Sequence, residues 1–157
     1  MVFDNRKIVL RLNKRRYLAI LLYLVIMGFL LIPDSFKKTI LGYEKSLFVI
    51  VLTTLYILYV IYTYVMNYNF FSYNNDGNNL IIRFVSLRPF DNKKRAIEVN
   101  KNDFVGYKIK SSLFNLKQDL VIKIKTKNGI ANYPPISISA LSFNHRKVLE
   151  DSLSQKG

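Results

Sequence analysis

LFVIVLTTLYILYVIYTYVM, Leu47 to Met66, runs without a charged residue. A helix rises about 1.5 Å per residue, so about 20 apolar residues cross the hydrocarbon core of a bilayer. The run meets that length and predicts a transmembrane helix. Upstream, YLAILLYLVIMGFLLI (Tyr17 to Ile32) is a second uncharged run, shorter and stopped by Pro33. It spans only if its helix continues back through Arg15 and Arg16, whose long stems snorkel toward the interface. The segment after it, IPDSFKK, lacks the small-x-small pattern of a cleavage site, so the run reads as a retained helix. The two runs read as a transmembrane hairpin over 17–66, with spans at about 15–32 and 47–66 and an outer loop at 33–46.

The bulk numbers agree with that segregation. The chain has 157 residues, is 50% hydrophobic and carries a formal net charge of +14. Those values fit one soluble domain poorly, and the charge lies outside the two apolar runs. Arm 1–16 holds Arg6, Lys7, Arg11, Lys14, Arg15 and Arg16. The loop between the runs holds Lys37, Lys38 and Lys45, offset by Asp34 and Glu44. Basic residues collect on the cytoplasmic side, so the N-terminus is expected there, and two spans return the C-terminus to the same side. Within the arm, Ile8, Leu10 and Leu12 alternate with Val9, Arg11 and Asn13. That pattern reads as a short strand pairing with the cytoplasmic sheet; a helical turn lying on the membrane is the open alternative. The chain has no cysteine, which excludes disulfides, thiol nucleophiles and cysteine-based metal sites.

Residues 67–157 have the grammar of β structure. NNDGNN (Asn74 to Asn79) is a dense turn signal between FFSY and LIIRFVSL, and DNKK (Asp91 to Lys94) marks a second turn. In DFVGYKIK, Val105, Tyr107 and Ile109 alternate with Gly106, Lys108 and Lys110. In DLVIKIKTK, Leu120, Ile122 and Ile124 alternate with Val121, Lys123, Lys125 and Lys127. A period of two predicts antiparallel strands with one buried and one wet face. Asn128-Gly129 signals a two-residue hairpin, and Tyr133-Pro134-Pro135 ends the strand after it, because proline donates nothing to a ladder. The period then changes. Leu141, His145, Val148, Leu149, Ser152 and Leu153 share one helical face over about 140–153, with Arg146, Lys147, Glu150 and Asp151 elsewhere. The expected fold class is therefore an α+β membrane protein. A two-helix hairpin precedes a small antiparallel sheet or partly open barrel, capped by an amphipathic C-terminal helix.

A transmembrane hairpin followed by about five to seven strands and one C-terminal helix resembles the membrane-anchored bacterial PH-like proteins. NDFVGYKIKSSLFNLKQDLVIKIKTKNG is similar to the part of that family where a strand leads through a serine-containing turn into alternating hydrophobics. The resemblance implies a PH-like domain over 67–157, placement in a bacterial inner membrane, and binding or scaffolding with neither a cofactor nor catalytic residues.

Candidate sites follow from residue type and spacing. His145 is the single histidine, with apolar helical neighbours and no carboxylate close in sequence, so it reads as a core-edge residue and not a general base. No paired-carboxylate spacing, phosphate loop or nucleophile motif is present, and an enzyme is not expected. Thr53, Tyr56 and Thr63 share a face of the second apolar run and are expected to pack on the first, at Tyr23 and Gly28, or on another membrane protein. Tyr59, Tyr62, Tyr64 and Tyr68 read as an interfacial aromatic belt. Lys108, Lys110, Lys123, Lys125 and Lys127, with Lys117 and the apolar tip at Phe114, form a candidate surface for anionic lipid or a protein partner, and a solvated face is the plain alternative. A tethered domain without a recognition motif makes nucleic acid a poor partner. The function expected is that of an accessory or scaffolding subunit of a membrane complex; the alternative is an anionic-lipid sensor.

Overall fold

The computed structural model describes residues 1–32, 39–40, 43–88, 91 and 93–154. The chain divides into two compact units, Leu10–Val65 and Met1–Val9 with Met66–Gly157. Each has its own physical logic.

The first unit is helical. Helix α1 spans Arg6–Leu31 and helix α2 spans Lys45–Met66. Helix α2 has 22 residues, about 33 Å of rise, and no residue of its apolar window is fully buried. It is long and apolar enough to cross a membrane. Helix α1 does continue back through Arg15 and Arg16. Its uncharged stretch from Tyr17 to the helix end at Leu31 rises only about 22 Å, short of the roughly 30 Å core, so by length and composition α2 is the one candidate span among the described residues and the two-span hairpin is not shown. Most of the expected outer loop lies outside the described residues. Within it, β2 (Thr39–Ile40) pairs antiparallel with β3 (Tyr43–Glu44).

The second unit is a β structure with one helix. Strands β1 (Val2–Asp4), β4 (Asn69–Asn74), β5 (Asn79–Ser86) and β6 (Lys94–Asn100) form one antiparallel sheet in that order. Strands β7 (Phe104–Ser112) and β8 (Lys117–Thr126) form a second, in which β9 (Gly129–Asn132) and β10 (Ile136–Ser137) share the other edge of β8. Pro134 and Pro135 separate those two edge strands, as their missing N–H groups require. Helix α3 (Phe143–Ser154) closes the unit, and Leu149 and Leu153 enter a core with Phe71, Tyr73, Leu80, Ile82, Leu120 and Ile122.

Since β1 and β4 are adjacent strands, everything from Arg6 to Met66 is an insertion in the connection between them. The β unit is therefore discontinuous in sequence. Without the insertion its first four strands are a simple meander.

Three expected element bounds need correction. Ile8 to Leu12 are helical, not extended, and the strand of the N-terminal arm is Val2–Asp4. The switch is local: the Asp4 carboxylate accepts from Arg6 N at 3.0 Å, and the Asn5 carbonyl accepts from Ile8 N and Val9 N at 2.9 and 3.0 Å. The hairpin after β8 turns at Lys127 and Asn128, because Thr126 pairs with Gly129, whose φ of +115° suits glycine. Lys127 thus leaves the strand and the lysine face. Helix α3 starts at Phe143 and not near 140, because the Ser142 hydroxyl caps it, accepting from His145 N at 3.2 Å. In the DNKK turn, Asn92 lies outside the described residues.

Candidate functional site

The register of β7 on β8 decides where the lysines go. Lys108 pairs with Val121, Lys110 with Asp119 and Ser112 with Lys117, while Gly106 pairs with Lys123. Directly paired residues share a face, so Lys108, Lys110, Lys117 and Lys123 lie together on the outer side. Lys125, opposite Ile130 of β9, joins them. The inner face carries Tyr107 with Ile122 and Ile109 with Leu120, against the core. Asp119 is the acidic residue on that outer face, and its carboxylate lies 3.6 Å from the Lys117 ammonium. The face is left with uncompensated positive charge.

The tip joining β7 to β8 is conformationally unusual. Leu113, Phe114 and Asn115 all have positive φ, at 53°, 53° and 66°. Asparagine tolerates that region, but leucine and phenylalanine adopt it at roughly 1–2 kcal/mol each. The run turns the chain so that Phe114 is fully exposed, at 101% of its reference area, flanked by exposed Leu113 and Leu116. An apolar convex tip therefore ends a hairpin whose outer face is basic.

A second concavity lies in the same unit. A cavity of about 570 Å³ is walled by Phe84, Ile97, Tyr133, Pro134 and Pro135, with Arg95 and Asp91 at its rim. The Arg95 guanidinium donates to both Asp91 carboxylate oxygens, at 2.9 and 3.2 Å, and these bonds hold the Asp91 carboxyl below the usual carboxylate range. Strand β6 is an edge strand there, pairing with β5 alone among the described residues. No single feature of the sequence announces this cavity, because its walls come from β5, β6 and the segment after β9.

Buried polar groups gather at one joint. Asn5, Asn69, Ser86 and Ser137 are the buried polar residues among those described. Asn5 accepts from Phe71 N at 2.8 Å and donates to the Asn69 carbonyl at 3.0 Å. Asn69 donates to the Ser137 carbonyl at 3.2 Å, and the Ser137 hydroxyl donates to the Met66 carbonyl at 3.3 Å. The last bond satisfies one of the carbonyls that α2 leaves open at its end, and Asn67 follows in the left-handed conformation that terminates helices, with φ of 46°. These asparagines tie β1, β4 and the helix ends into one bonded cluster. Arg146, which the period places off the apolar face of α3, is half-buried and donates to the Leu141 carbonyl, the Ser139 carbonyl and the Gln118 side chain, at 3.1, 3.1 and 2.7 Å. Burial lowers its affinity for the proton, against the pull of Glu150.

In the helical unit the predicted packing residues are partly brought together. The Tyr23 and Tyr56 rings stack at 4.2 Å, and the Tyr23 hydroxyl shares a hydrogen bond with Thr53 at 3.3 Å. Thr63 lies on the same half-buried stripe of α2 as Phe48, Val49, Leu52 and Tyr59, and its hydroxyl donates to the Val60 carbonyl at 2.9 Å. Gly28 is not at a close helix approach: a Cβ there meets nothing within 4 Å. His145 is half-buried and stacks on Phe3 at 5.0 Å, with its Nδ1 unpartnered among the described residues. No protein-family model matches the chain, and neither a curated protein nor a solved structure is similar to it.

Proposed function

We propose that the chain is a non-catalytic integral membrane protein. In this reading α1 and α2 form a transmembrane hairpin, both termini are cytoplasmic, and the protein serves as an accessory or scaffolding subunit of a larger complex in a bacterial inner membrane. Support for the hairpin comes from the stacked Tyr23–Tyr56 pair and from the continuity of α1 through Arg15 and Arg16, whose side chains extend its reach toward the interface. Lys45 donates to the Ile32 carbonyl at 3.3 Å, which ties the far ends of the two helices together. Support for a PH-like binding domain comes from its two antiparallel sheets and a single closing helix.

One observation carries the membrane reading and leaves room for partner helices. Beyond the stripe against α1, Ile50, Val51, Leu55, Ile57, Leu58 and Ile61 of α2 are exposed, as are Leu18, Leu21, Leu22, Val25 and Phe29 of α1. Apolar surface of that extent is stable only against lipid or other apolar helices. Purification of the full chain in mild detergent tests the proposal. A partner at constant stoichiometry through two chromatographic steps is expected, and a lone protein in every detergent would contradict the subunit role.

A further inference from the structure

We infer that the β7–β8 hairpin engages an anionic bilayer surface, with Phe114 entering the headgroup region and Lys108, Lys110, Lys123 and Lys125 meeting lipid phosphates. The inference rests on α2 crossing a membrane and is independent of the accessory-subunit reading. Three observations converge on this hairpin. Its outer face is basic by register, with Asp119, the acidic residue there, already beside Lys117. Its tip presents Phe114, Leu113 and Leu116 as an exposed convex apolar element. Leucine and phenylalanine both hold a left-handed backbone there, an arrangement that aims the tip outward with no packing gain inside the protein.

The occupant follows from shape and charge. A fluid surface accepts a convex apolar tip without a matching pocket, and a sheet of phosphates complements an extended row of ammonium groups irrespective of their spacing. Each basic residue near such a surface adds attraction, and the apolar tip adds a part that salt does not screen. Tethering through α2 keeps a leaflet at high effective concentration, so weak contacts of this kind suffice. A folded protein partner would need a cleft for Phe114 and acidic groups in register with four lysines.

The absence of cysteine makes the test clean. Ser112→Cys places a single environment-sensitive fluorophore beside the tip and leaves Phe114 in place. The full chain is reconstituted in nanodiscs of phosphatidylcholine alone, or of phosphatidylcholine with phosphatidylglycerol, each containing a headgroup-level quencher. Quenching about fivefold stronger in the anionic discs is expected, falling when Lys108, Lys110, Lys123 and Lys125 are changed to Gln and at about 0.5 M salt. Phe114→Ser should lower the part that remains at high salt. A control fluorophore at Asn128→Cys, in the opposite turn, should stay solvent-exposed in both discs. Equal quenching in neutral and anionic discs, or quenching unchanged by the four Gln substitutions, would overturn the inference. A tip that is exposed in every disc but shielded in a co-purified complex would overturn it in favour of a protein partner.

Discussion

The two units of this chain solve the burial problem in opposite ways. In the β unit, Phe71, Tyr73, Ile82, Leu120, Ile122 and Leu149 are wholly buried by their own neighbours. In the helical unit, apolar residues cover nearly every side of α2, and most of them remain exposed. The β unit carries its own core, while the helical unit depends on surroundings that supply one. The difference explains how one chain is both half hydrophobic and strongly basic: the long apolar runs lie in α1 and α2, and most of the charge sits on the β unit and the first eleven residues of α1. It also predicts that the two units respond differently to the same kind of substitution.

The sharpest way to break that comparison is a pair of truncations. Phe71→Ala opens the β core and should cost about 3–5 kcal/mol, enough to unfold most small domains. Leu58→Ala removes a comparable apolar group from the exposed side of α2 and should leave β-unit stability within about 0.5 kcal/mol. Urea unfolding of the full chain in detergent, followed by the near-ultraviolet signal of the tyrosines, measures both. Similar losses would mean that the units do not differ as described.

Asn5 tests the joint where the insertion begins. Asn5→Ala removes the acceptor of Phe71 N and a donor to the Asn69 carbonyl, both buried, and should cost about 1–3 kcal/mol. Hydrogen exchange should then quicken first at β1 and β4, the strands that Asn5 bridges. Uniform acceleration across β7 and β8 would show that the joint is not local.

The smallest effect concerns the hairpin tip, and its sign is opposite. Leu113→Gly relieves one left-handed L-residue and should stabilise the β unit by about 0.5–1 kcal/mol after the glycine entropy cost. A destabilisation would indicate that the Leu113 side chain packs in a way its exposure does not reveal.

Much of the architecture was legible because periodicity reports burial directly. The alternation in 104–112 and 117–126 placed Tyr107, Ile109, Leu120 and Ile122 inward and the lysines outward, as the register has them. The charge-free run at 47–66 marked α2. What could not be read is instructive. Strand β1 has three residues, too few for a period to show, so the insertion of the helices between two paired strands was invisible. Asn5 and Asn69 look like turn residues by composition, and only the neighbours brought by folding make them buried bonding groups. Arg146 fell on a polar helical position, yet it donates to three neutral acceptors, two in the segment just before its helix and one on β8. The turn after β8 shifted by one residue because a glycine can end a hairpin as well as occupy its centre, and that shift moved Lys127 off the face. The lysine face itself was legible, but the left-handed run that displays Phe114 is a backbone property with no sequence signature.

The proposed topology has both helices crossing a membrane and both ends of the chain on its cytoplasmic side. Single cysteines at Ser35 and at Ser154 test it most directly, since the native chain contributes no thiol of its own. In intact cells an impermeant maleimide should label Ser35→Cys, and Ser154→Cys should react only after the membrane is opened. Labelling of Ser154→Cys from outside intact cells would contradict the account.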